Sequence, residues 1–118
     1  MKFEELSENV KSELEQIVAK LEPFEIVETI ILFGSYTRGA QTENSDLDLF
    51  VIISDEDKRN MLDIRWELDD KAYDVRNMAK DILYCKKNKY LAHLKNKSYL
   101  HTQIKNEGII LYESTKSV

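Results

Sequence analysis

The sequence is short of the residues that staple, break or anchor a chain. Of its 118 residues, one is cysteine, one is proline and three are glycine. A lone thiol, Cys85, cannot close an internal disulfide, which suits a reducing cytoplasm. With proline only at Pro23 and glycine only at 34, 39 and 108, regular structure has few places to break. No apolar run approaches the ~20 residues that a membrane-spanning helix requires, so no membrane role is expected. The start, Met1-Lys2-Phe3-Glu4-Glu5, is acidic almost at once, and no targeting leader is expected from it. Excess positive charge is missing too. A net charge of −5 argues against broad binding to nucleic acid, which depends on Lys and Arg neutralising phosphates. What remains is 33% charged and 42% hydrophobic, the composition of an ordinary soluble protein with the length of one domain spanning residues 1–118.

The informative stretch runs from Leu32 to Ile53, reading L-F-G-S-Y-T-R-G-A-Q-T-E-N-S-D-L-D-L-F-V-I-I. It starts as an apolar strand, breaks at Gly34-Ser35 and returns as a second strand headed by Asp46 and Asp48. Alternate residues of a strand share a face, so these two carboxylates stand together, about 6–7 Å apart at their Cα atoms. Carboxylates in that arrangement suit hard divalent cations, which prefer oxygen. Gly34 permits close backbone approach, and Ser35 can cap a short helix near Tyr36 whose free N–H groups would seat phosphate. If the two strands are antiparallel, the phosphate seat and the aspartates face each other. Each feature alone has a bland reading, a turn or a solvated strand end. Together the bland reading fails, because Asp48 leads into a strand that is otherwise apolar on both faces.

Around this stretch the periodicity predicts a helix over roughly 4–21, striped by Leu6, Val10, Leu14, Ile17, Val18 and Leu21 and ended by Pro23. A strand follows over 25–33, rich in β-branched residues. After the second strand (47–53), Ser54 to Asp57 offers N-cap chemistry for a helix over about 58–68. Alternation over 71–78 predicts a third strand with Asp74 on one face, and the chain from Lys80 onward reads as helical with a break near Lys87-Asn88. Gly108 marks a helix end, with a short strand over 109–112. The fold class expected is α/β (α+β), a small mixed sheet of three to four strands with helices packed against it.

Two aspartates rarely suffice for two cations, so a third acid is required. Asp74 is the candidate from its predicted strand, with Asp69 and Asp70 as rivals in the turn before it. His93 and His101, eight apart, lack the spacing of a helical metal pair. Cys85 sits among lysines but has no partner for nucleophilic chemistry. Lys80, Lys86, Lys87, Lys89, Lys95 and Lys97 read as a solvated helix face, with a triphosphate or an acidic partner as the functional alternative. Trp66 is expected in the core or at an interface.

Gly34-Ser35, Arg38-Gly39 and Ser45-Asp46-Leu47-Asp48-Leu49, in this order and spacing, resemble the signature of minimal nucleotidyltransferases of the DNA polymerase beta superfamily. The likeness extends to the ending Asn106-Glu107-Gly108-Ile109-Ile110-Leu111-Tyr112. It implies the palm-like nucleotidyltransferase fold and a Mg²⁺-dependent transfer of a nucleoside monophosphate, AMP from ATP, to a hydroxyl. Two ions would be held by Asp46, Asp48 and Asp74, with Asp74 also the general base. Gly34, Ser35, Arg38 and Ser45 would form the nucleotide-binding loop, Ser45 orienting it or capping Asp46. The resemblance also implies a small HEPN-type protein partner in a toxin–antitoxin pair, modified by AMP transfer; an oligomer is compatible with it. The alternatives are an antitoxin acting by contact alone and a small-molecule nucleotidyltransferase. One departure from the pattern is Tyr36-Thr37, where a small residue often precedes the arginine.

Overall fold

A computed structural model describes residues 1–42 and 44–115; Glu43, within the polar loop expected over 41–45, lies outside the described residues. Helix α1 (Glu8–Leu21) opens the regular structure after a 3-10 turn at Phe3–Glu5. It begins later than the apolar stripe predicts because Ser7 is the cap, its hydroxyl accepting from the Val10 N–H at 3.3 Å. Leu14, Ile17 and Leu21 are fully buried. Each such side chain contributes about 1.5–3 kcal/mol on burial.

Strands β1 (Val27–Phe33), β2 (Leu47–Ile53), β3 (Lys80–Lys86) and β4 (Ile109–Glu113) form a sheet in the order β3-β2-β1-β4. β1 is antiparallel to both β2 and β4, whereas β3 runs parallel to β2. This is the mixed sheet that the pattern implies. Helices α1 and α2 (Met61–Ala72) cover one face with Leu14, Ile17, Ile64 and Leu68, over Leu47, Leu49, Val51 and Ile53. Helices α3 (Lys87–Lys95) and α4 (Tyr99–Glu107) contribute Tyr90 and Ile104 to a smaller cluster with Ile31, Phe50, Ile52 and Cys85 on the other face. β2 is thus central and buried on both sides, as its two apolar faces require.

Two expectations are corrected. The strand over 71–78 does not form: Lys71 and Ala72 finish α2, and Tyr73 to Val75 turn back on its last carbonyls, Asp74 N–H donating to Lys71 O at 3.2 Å. Ala72 and Val75, three apart, are buried together at the helix end, whereas Tyr73, which alternation would put on the face of Val75, is 40% exposed. The third strand lies instead at Lys80–Lys86, where helix was expected. Its run Ile82-Leu83-Tyr84-Cys85 carries apolar residues to both faces, so period two is invisible in it. Helix α2 also starts later than expected, capped by Asn60, whose side-chain oxygen accepts from the Asp63 N–H at 2.9 Å. Residues Ser54 to Arg59 are drawn into the loop beside β3, where Lys86 Nζ donates to Asp57 O at 2.6 Å. Among the described residues, no helix is long and apolar enough to cross a membrane.

Candidate active site

The site is assembled at the end of the sheet where β1 leaves and β2 and β3 begin. Phe33, the last residue of β1, pairs with Asp48, and Asp48 pairs with Asp81 of β3. Registered neighbours point to the same face, and Asp46 precedes Asp48 by two residues, so three carboxylates gather on one rim. That face is the one lined further along by Phe50, Leu83 and Cys85.

Gly34 turns the chain across this rim. Its φ of +83° lies in the left-handed region, and a Cβ there would collide with the carboxylate of Asp48. Glycine is therefore required twice over, by conformation and by space. Residues Gly34–Thr37 form a 3-10 turn where the short helix near Tyr36 was expected, but Ser35 lies within it and is not its cap; the turn follows Phe33 without a side-chain cap and is closed by Thr37 Oγ1 donating to Gly34 O at 2.7 Å. Ser35 O accepts from the N–H groups of Arg38 (3.2 Å) and Ala40 (3.0 Å), which holds the loop folded over itself. The Arg38 guanidinium reaches Glu107 at the end of α4 at 3.7 Å, bracing the loop against the far helix. Ser45 accepts from the Thr42 N–H at 2.8 Å and so fixes the loop leading to Asp46.

The electrostatics single out Asp48. Burial first, then Asp81, then Asp46 push its pKa above the ordinary carboxylate value, and Arg38 offsets them only in part. Crowded carboxylates that resist ionisation are what a bound cation would relieve. The donor set is all oxygen, the set that suits Mg²⁺. As placed, no three His, Cys, Asp or Glu side chains among the described residues converge tightly enough to hold an ion between them. The backbone brings the acids to one rim; their side chains are not closed around a point.

Asp74 is not on that rim. It sits half-exposed in the turn after α2, its carboxylate 3.9 Å from Lys20 Nζ of α1. Its rivals are placed elsewhere as well: Asp69 accepts from the Tyr84 hydroxyl at 2.6 Å, and Asp70 lies 3.8 Å from Lys71. The acid that sequence reasoning missed is Asp81. A signal for it existed, since Asp81 heads the apolar run Ile82-Leu83 much as Asp46 and Asp48 head theirs. The other candidates resolve into packing. His93 and His101 stack with centroids 4.1 Å apart, and Ser98 Oγ lies 2.7 Å from His101 Nδ1. Burial raises the Cys85 thiol despite Lys89 nearby, the opposite of an activated nucleophile. Trp66 is 68% exposed on α2, which rules out the core.

Residues 15–117 match the model of the family described as polymerase beta, nucleotidyltransferase. The chain belongs to this family. Solved structures share its fold. A Sulfolobus solfataricus chain described as a nucleotidyltransferase superposes with a TM-score of 0.57 at 15% identity, covering 95% of this chain and 93% of that one. A toxin–antitoxin structure with AMP-PNP gives 0.55 at 25% identity, covering 88% and 73%. A mutant of the MntA–HpeT toxin–antitoxin gives 0.54 at 23% identity, covering 93% and 75%. No curated protein matches the chain at a significant level. In this polymerase beta nucleotidyltransferase, then, the glycine turn and the carboxylate rim stand at the same sheet end.

Proposed function

We propose that the chain is a Mg²⁺-dependent nucleotidyltransferase that moves AMP from ATP onto a hydroxyl of a partner protein and serves as the antitoxin of a toxin–antitoxin pair. The observation that carries the reading is the registered series Phe33, Asp48, Asp81, which sets the Gly34 turn beside paired carboxylates on adjacent strands. The neighbouring toxin–antitoxin structure with AMP-PNP supports both the nucleotide and the partner. The resemblance to minimal nucleotidyltransferases makes that partner a HEPN-type protein, and the reading takes residues 1–118 as one catalytic domain working in the cytoplasm.

Ser35 and the backbone of the Gly34–Thr37 turn would hold the β- and γ-phosphates, with Arg38 adding positive charge to the same loop. Asp46, Asp48 and Asp81 would hold up to two divalent ions, which when bound supply charge neutralisation and Lewis acidity at the transferring phosphate. Ser45 keeps the loop that presents Asp46. The acceptor oxygen forms its bond to the α-phosphorus as the bond from that phosphorus to the bridging oxygen breaks. Pyrophosphate leaves, and the acceptor proton passes to a carboxylate of the rim, for which Asp81 is the candidate. Asp74 is replaced in this role, because its turn faces Lys20 and not the acids.

A second reading, an antitoxin that works by contact alone, draws on the same toxin–antitoxin neighbours, which speak for a partner and not for transfer to it. Incubation with α-labelled ATP, Mg²⁺ and the co-expressed partner separates the two. Label on the partner, lost in Asp48→Asn, supports transfer; a tight complex without label supports contact. Label on a small metabolite instead would make the chain a small-molecule transferase.

A further inference from the structure

Nine large hydrophobic side chains are exposed among the described residues, and four of them, Leu62, Trp66, Tyr73 and Leu83, belong to α2 and the strand beside it. Leu62, Trp66 and Tyr73 fall at i, i+4 and i+11 along α2 and its C-cap, so they form one stripe, about 16 Å long at the rise of a helix. Ile64, Leu68 and Ala72 already supply the side that α2 buries, so the core does not account for the stripe. Leu83 extends it across a groove of about 280 Å³ between α2 and β3, lined by Met61, Leu62, Arg65, Ile82, Leu83 and Tyr84. Apolar surface gathered in this way marks a contact face, and tryptophan is a common anchor of such faces.

Two observations select the occupant. No described strand pairs beyond β3, yet the edge is guarded where it starts. Ala79 O is turned towards β2, where it accepts from Leu47 N–H, and Lys80 O, turned the other way, accepts from the Tyr73 hydroxyl at 3.4 Å. An added strand would have to displace that hydroxyl, so the helix and not the strand edge is the contact. Charge is the second observation. On the flank of the stripe towards β3 stand one cation and one anion, Arg65 and Asp69. Arg65 engages Asp69 through Nε at 3.3 Å and its side chain is 58% exposed, which leaves its Nη groups for another carboxylate. Turning the helix end for end about the middle of the stripe sets Leu62 on Tyr73, Trp66 beside Trp66 and Arg65 on Asp69. The face is thus complementary to itself. When two helices pack antiparallel about a two-fold axis, the same flank of each meets, and every pairing is made twice. Asp63 and Asp70 lie on the flank away from β3 and stay in water at the rim. A strongly acidic or strongly basic partner gains no net charge pairing from one cation and one anion.

We propose that this face takes a second copy of the chain, α2 against α2 antiparallel, with Trp66 as the anchor and the Arg65–Asp69 pairs fixing the register. The antiparallel arrangement sends the two acid rims to opposite ends of the dimer, so each copy keeps its own site. The contact is independent of the transferase reading. Sedimentation equilibrium of the purified chain, without a partner and over a micromolar concentration series, is expected to show monomer and dimer, since three helical turns make a small interface. Trp66→Glu should weaken the dimer at least about thirtyfold with an unchanged circular dichroism spectrum. Arg65→Asp and Asp69→Arg each set like charges across the axis and should be monomeric alone. Mixed in equal amounts, they should dimerise at least as tightly as wild type, because every cross-axis pair is then of opposite sign. Asp69→Arg also gives up the Tyr84 hydroxyl, so Trp66→Glu, at an exposed side chain, decides the matter if that variant does not fold. A wild type that is monomeric throughout overturns the proposal, as does a dimer that survives Trp66→Glu, or a mixture of folded variants that stays monomeric. A monomeric wild type whose complex with a co-expressed partner is lost in Trp66→Glu also overturns it, and gives the face to that partner.

Discussion

At the scale of single residues, the account turns on which acids stand together. Asp81→Asn is expected to lower AMP transfer about 10²–10⁴-fold, the usual effect of losing a positioned proton acceptor. Asp74→Asn should leave transfer within a few-fold of wild type, because its carboxylate faces Lys20. Steady-state labelling of the partner checks both. Gly34→Ala forces a side chain into a left-handed backbone and against Asp48. It should cost about 1–3 kcal/mol in denaturant unfolding and abolish nucleotide-dependent stabilisation. Asp48 itself works against the fold when no cation is present. Its pKa is raised in the native state, so its ionisation costs stability at neutral pH, and the cost fades as pH falls through that raised value towards the unfolded one. Metal-free Asp48→Asn should accordingly be no less stable than wild type at neutral pH by chemical denaturation. Gly34, Asp46 and Asp48 were legible in the sequence because a turn and an i, i+2 pair are local patterns. Asp81 was marked only by the apolar run it heads, because its place beside Asp48 comes from a register between strands 33 residues apart in the chain (81 against 48).

At the scale of elements, the misreading of β3 and the position of its first residues share one cause. A parallel strand at the sheet edge buries Ile82 against the α1–α2 face and Cys85 against the other, and leaves Leu83 part-exposed between them. Periodicity cannot describe such a strand; α1 was read from its apolar stripe, whereas β1 was read from its β-branched residues and β2 from the apolar run behind Asp46 and Asp48. What anchors the start of β3 is also nonlocal. Glu13 of α1, 1% exposed, accepts from the Met78 N–H at 3.1 Å and from Asn77 Nδ2 at 3.2 Å, and lies 3.2 Å from Lys80 Nζ. Within an otherwise regular apolar stripe, this glutamate reads as a surface residue. Glu13→Leu leaves the Lys80 ammonium buried without its carboxylate and should destabilise by about 3–5 kcal/mol in urea unfolding. The α3–α4 hairpin has its own sensitivity. Burial and then His93 lower the pKa of His101, so the neutral ring is the one the native state favours. That contribution is complete above the ordinary histidine value of 6.5 and is lost as pH falls below it through the lowered native value. His101→Phe keeps the ring against Phe50 and Tyr90 and should flatten the acid limb of a stability–pH profile relative to wild type.

At the scale of the whole molecule, helices close both faces of the sheet along most of its length and leave open the end where β1 stops and β2 and β3 start. The general form was legible, since a run apolar on both faces demands cover on both and carboxylates at its mouth mark where cover ends. Ligand binding at that end should be felt globally, because a ligand specific to the native state stabilises it by about 2.7 kcal/mol at a hundredfold excess over its dissociation constant. A rise in melting temperature with Mg²⁺ and ATP together, larger than with either alone and absent in Asp46→Asn, is therefore expected. The most direct test of the central claim counts ions. Mn²⁺ titration followed by electron paramagnetic resonance in the presence of AMP-PNP should give two bound ions per chain for wild type and Asp74→Asn, and one for Asp81→Asn. Two ions in Asp81→Asn together with a loss in Asp74→Asn would contradict the account.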